Sequence, residues 1–121
     1  MKIATWNIER LKHRKSILNI KAVCERAGAD ILILTETEQS IDFHDYLNSF
    51  HTPKINTSPA DYPLPANFKE EENRVSIYTN YPLVKQHETY DEYTSRCIEL
   101  ETENKVKTGG GLCYLKNLIS R

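Results

Sequence analysis

Glu36 stands two residues beyond a run of four aliphatic side chains, Ile31 to Leu34, within the segment "ILILTETE". Such a run is what a strand covered on both faces looks like. A carboxylate held at the end of a rigid buried strand suits a hard divalent cation, because magnesium prefers oxygen ligands, keeps most of its waters and needs only one or two carboxylates. Asn7 closes an earlier strand-like stretch, "KIATWNI". Its amide offers either an oxygen to a metal or a neutral N–H donor to a phosphate, in both cases without adding repulsive negative charge. Each residue alone has a plainer reading: Glu36 as a solvated strand end, and Asn7 as a turn or cap residue that satisfies nearby backbone groups. Glu9 and Glu38 are read as solvated.

The elements that would bring these two residues together can be read from periodicity. "KIATWNI" has the Ile, Thr and Trp content of a strand. From about His13 to Ala27, Ile17, Ile20, Cys24 and Ala27 recur at three- and four-residue steps, which predicts an amphipathic helix closed by Gly28. The run Ile31 to Leu34 then supplies a second strand. Strand, helix, strand at this spacing is long enough for a right-handed parallel crossover, which sets Asn7 and Glu36 at the carboxyl ends of neighbouring strands. That edge is where open sheets covered by helices bind ligands. Beyond it, "FHDYLNSFH" fits either a short helix or a strand. Residues 53–72 hold four of the five prolines and read as a long surface loop. "RVSIYT" and "RCIELET" alternate as half-buried antiparallel strands do.

Composition narrows the function classes. Sixteen Lys and Arg against seventeen Asp and Glu give a formal net charge of -1, so any attraction to a polyanion has to be local. The basic run Arg10 to Lys15 could supply it by holding a phosphodiester backbone, although such a run is more commonly the wet start of a helix. Three separated cysteines without C-x-x-C spacing indicate neither a disulfide framework nor a structural zinc site. With no apolar run of membrane-spanning length, a reduced cytoplasmic setting is expected. "KTGGG" is neither a P-loop nor accompanied by a serine nucleophile motif. The four histidines form no H-E-x-x-H and read as scattered exposed side chains.

In this order and spacing, "KIATWNIERL", "ADILILTETE", "NRVSIYTNYPL" and "SRCIELE" resemble the N-terminal part of the endonuclease/exonuclease/phosphatase superfamily, the deoxyribonuclease I-like proteins. The resemblance implies an α+β fold, the N-terminal half of a four-layer α/β/β/α sandwich, with a βαβ unit followed by antiparallel strands. It also implies Mg2+- or Mn2+-dependent hydrolysis of a phosphate ester in DNA, RNA, a nucleotide or a lipid. Carried over position by position, the catalytic Asn is Asn7 and the metal-binding Glu is Glu36, with Asn7 as a second candidate metal ligand. Arg10, Lys12 and Arg96 are candidate phosphate contacts, Arg96 because some members carry an arginine leading into a strand.

The same resemblance defines what is missing. Its second-half segments, G-D-x-N and S-D-H, have no counterpart: there is no Gly-Asp pair and no histidine follows an aspartate. Hydrolysis needs a positioned nucleophile as well as charge stabilisation, so hydrolase activity is not expected from the chain alone, and metal binding is expected to be weak. Three of the four glycines fall at 109–111, a shift in composition that divides residues 1–103, read as a truncated domain, from an atypical tail at 104–121. The alternative reading is a non-catalytic remnant or protein-binding module. An inner sheet face left uncovered would then hold a second copy, sheet on sheet, or a complementary C-terminal fragment.

Overall fold

The computed structural model describes residues 1–9, 16–57 and 71–102, together with the backbone of 112–116. Within them the chain is a mixed α+β protein with two sheets and one α-helix. Strand β1 (Ile3–Asn7) leads to helix α1 (Ile17–Ala27) and strand β2 (Ile31–Glu38). β1 and β2 pair in parallel, with Ile3 opposite Ile31 and Asn7 opposite Thr35, as the crossover spacing requires. Gly28 ends the helix in the left-handed conformation (φ 58°), where an L side chain would cost about 1 kcal/mol or more. Arg26 in the last turn complements the helix dipole.

The ambiguous stretch after β2 contains a strand, β3 (Asn48–His51), followed by a 3-10 turn at Ile55–Thr57. Strand β4 (Glu72–Thr79) then enters between β2 and β3, antiparallel to both, giving the sheet order β1-β2-β4-β3. A second sheet has the order β5-β6-β7, from β5 (Leu83–His87), β6 (Cys97–Glu101) and β7 (Leu112–Lys116). β7 lies inside the stretch set apart by its composition, and its backbone pairs with the whole of β6.

Alternation along β2 divides the core in two. Leu32 and Leu34 join Ile8, Ile20, Cys24, Phe43 and Tyr78 on the helix side. Ile31 and Ile33 join Val75 and Ile77 on the opposite face, where Ile98 and Leu100 of β6 pack against them. The order is therefore helix, four-stranded sheet, three-stranded sheet.

Two expectations are corrected by this packing. β4 is buried on both faces rather than one, because Val75 and Ile77 meet the second sheet while Tyr78 lies under the helix side. Tyr78 Oη is satisfied there by donating to the Ile41 carbonyl at 3.1 Å, whereas Asn73 Oδ1 and Arg74 Nε on the same strand are buried without a partner. The inner face of β2 and β4 is also not left in water, since β6 covers it and Ile31, Val75 and Ile77 are fully buried. What does stay uncovered on that face belongs to β1, whose Ile3, Thr5 and Asn7 are exposed. Among the described residues no helix is long and apolar enough to cross a membrane.

Candidate functional site

The parallel pairing places Asn7 and Glu36 at neighbouring register positions. Asn7 lies opposite Thr35, and the Ile8 amide extends the pairing by donating to the Thr35 carbonyl at 3.1 Å. Glu36 is the next residue on β2, one position beyond the partner of Asn7. Both strands leave regular geometry here: Glu36 has φ 50° and Glu9 has φ 46°, the only non-glycine residues with positive φ among those described. A glutamate in that conformation costs on the order of 1 kcal/mol, and such strain tends to persist at functional sites. At Glu36 it falls between the ladder pairs Thr35 with Val75 and Thr37 with Asn73, so surrounding pairing holds the distorted residue in place.

The two side chains are presented differently. Asn7 is exposed, and its Oδ1 accepts the Glu9 backbone N–H at 3.1 Å, closing a local turn. The amide oxygen is thus turned back onto the chain, and the NH2 group is left as the outward donor. The half-exposed Glu36 carboxylate has no hydrogen-bond or ion-pair partner among the described residues. Glu38, expected to be solvated, is partly exposed and accepts the Ser40 hydroxyl at 2.6 Å. No group of three His, Cys, Asp or Glu side chains gathers to hold a metal among the described residues. One free carboxylate at a sheet edge fits a hydrated magnesium ion, which the protein touches through few ligands, better than a dehydrated, fully caged ion.

The proposed cations do not complete this pair. Arg10 and Lys12 lie outside the described residues. Arg96 does lead into β6, but it is buried, with 9% of its surface exposed, and is not a surface residue. Its Nη2 donates to the His51 carbonyl on β3. β3 is separated from β1 by β4 and β2, so the guanidinium ends about three strand spacings, roughly 14 Å, across the sheet from Asn7. Burial lowers the Arg96 pKa, and its Nε has no partner.

Sequence reading missed the polar network that Arg96 joins. His51 is half-buried rather than exposed: its Nδ1 lies 2.6 Å from Ser76 Oγ, which also accepts the Asn73 amide at 2.9 Å. The ring stands edge-on to Tyr78 at 5.7 Å. Burial and then the Arg96 charge lower the His51 pKa below its ordinary 6.5. The alternation in "NSFH", with Phe50 turned to the inter-sheet core and His51 to the helix side, was the available signal. His87 also has a carboxylate partner, Glu99 at 3.2 Å.

The opposite end of the first sheet carries a cleft of about 380 Å3 lined by Glu25, Asp30, Asp45 and Tyr46 among others. Its carboxylates repel a phosphate ester, which leaves the Asn7 and Glu36 edge as the better candidate. No family model, curated protein or solved structure matches the chain.

Proposed function

We propose that the chain is the N-terminal part of a metal-dependent phosphohydrolase of the endonuclease/exonuclease/phosphatase kind, within a four-layer deoxyribonuclease I-like sandwich. The observation that carries this reading is the register that sets Asn7 opposite Thr35, so that the next residue on β2 is Glu36, backbone-strained and without a partner among the described residues. Glu36 would hold one side of a hydrated Mg2+ or Mn2+, whose charge would stabilise the phosphate oxygens. The Asn7 NH2 group would donate to one of those oxygens and fix its orientation without adding charge. Ile8, buried beneath the turn, anchors the backbone that aims Asn7.

Neither Asn7 nor a metal-bound Glu36 would serve as the base that activates a water. The His51 network faces the helix side of the sheet and is built into the protein interior, and no Asp-His pair is present. Binding without turnover is the expected behaviour of these 121 residues. A magnesium-dependent assay on DNA, RNA and a chromogenic phosphodiester should show no hydrolysis above background. Robust hydrolysis abolished by Glu36→Ala would show that the site is complete, whereas hydrolysis indifferent to Glu36→Ala would place the chemistry elsewhere.

A further inference from the structure

The unpartnered edge of β1 is built to pair with another strand, and we propose that its occupant is a second copy of this chain. The Lys2 carbonyl accepts the Ile31 amide, and the Ile8 amide donates to the Thr35 carbonyl. In a parallel pair each residue directs both its N–H and its C=O to the same side. Lys2, Ala4, Trp6 and Ile8 therefore bond toward β2, and Ile3, Thr5 and Asn7 direct their backbone groups to the open side. β1 is the terminal strand of its sheet, so these groups face no neighbouring strand among the described residues.

This edge is self-complementary in one register. An antiparallel pair centred on Thr5 places Thr5 opposite its own copy and Ile3 opposite Asn7 of the other copy. All the free edge groups are then used, in about six hydrogen bonds. No register displaced along the strand uses them all. On the helix side the same register sets Trp6, 38% exposed, beside the small Ala4 of the other copy. At either end it brings Lys2 of one strand beside Ile8 of the other. Edges that avoid association carry charges, prolines or bulges, and Ile3–Asn7 has none of these while leaving Ile3 47% exposed. The result is one continuous sheet through both copies, instead of the face-to-face packing expected when the inner face was taken to be bare. The pairing rests on edge geometry and uses the backbone of Asn7, whose side chain belongs to the proposed site, but its test reads association and not metal or phosphate binding.

Sedimentation of the whole chain tests it. The unaltered protein should be dimeric at about 100 µM, and Thr5→Lys, which sets two cations on the symmetry axis, should raise the dissociation constant at least about tenfold. Thr5→Pro provides a second variant, because it removes an edge N–H that bonds nothing on β2. Both variants should keep the far-UV circular dichroism spectrum of the parent. A parent that is monomeric at that concentration, or a dimer that survives folded Thr5→Lys and Thr5→Pro unchanged, would overturn the proposal.

Discussion

Asn7 shows how one hydrogen bond assigns a role. Because Oδ1 is engaged by the Glu9 amide at 3.1 Å, the group offered outward is a donor. Asn7→Ser keeps an acceptor for that amide and loses the NH2, so metal affinity should stay within about twofold while binding of inorganic phosphate weakens. Asn7→Asp sets a second carboxylate beside Glu36 and should tighten Mn2+ binding by roughly tenfold, about 1.4 kcal/mol, again at the expense of phosphate. A large loss of Mn2+ binding in Asn7→Ser, read by calorimetry, would make the amide oxygen a ligand instead. His51 yields a different prediction. Its folded pKa lies below 6.5, so the unfolded chain takes up the proton first as pH falls. The stability contribution is complete above pH 6.5 and is lost below it, down to the folded pKa. His51→Asn should flatten this part of the stability profile, leaving the slopes due to other groups, and identical urea midpoints for parent and variant from pH 7 to 5 would contradict it.

The elements differ in how far they could be read in advance. β1 was legible from its Ile, Thr and Trp content, α1 from its apolar period and β2 from its unbroken aliphatic run. Gly28 marked the helix end for a steric reason that is visible in sequence. β4 was misjudged as half-buried because Ser76 and Tyr78 look like solvent-facing residues, although both are satisfied internally, by His51 and by the Ile41 carbonyl. Sequence alternation reports polarity and does not show whether a polar group has found a partner. β3 was ambiguous because four residues are too few to separate the two periods. Of the candidate site, Asn7 does end its strand, whereas β2 runs on to Glu38 and so holds Glu36 inside the strand; the turn around Asn7 and the positive φ of Glu36 depend on tertiary pairing. The double burial of β4 can be tested: Ile77→Ala, at a fully buried position shared by the two sheets, should cost about 2–5 kcal/mol. Leu47→Ala, at an 84% exposed position, should stay within about 0.5 kcal/mol in the same denaturant titration.

At the scale of the whole molecule, a net charge of -1 gives no long-range pull on a polyanion, so any such binding has to come from local arrangement, and the two ends of the first sheet differ in theirs. One end presents Asn7 and Glu36. The other presents the cleft of Glu25, Asp30 and Asp45, the chief competitor for any divalent ion. The layering of helix on sheet on sheet explains why the central strands are apolar on both faces, and the end of that cover at β1 explains why Ile3 and Trp6 remain in contact with water. This lateral limit could not be read from sequence, because it is set by where β6 lies over β2 and β4. The proposed metal role of Glu36 requires that a divalent ion bind at the β2 end of the sheet. Mn2+ titrated into the isotopically labelled protein broadens the NMR signals of amides near its site, so the position can be read directly. The signals of Thr35, Glu36, Thr37 and Ile8 should broaden first, at millimolar Mn2+, corresponding to about 4 kcal/mol of binding, and Glu36→Gln should abolish the effect. Broadening centred on Asp30 and Asp45, or broadening at the β2 edge that persists in Glu36→Gln, would contradict the assignment of Glu36 as the metal ligand.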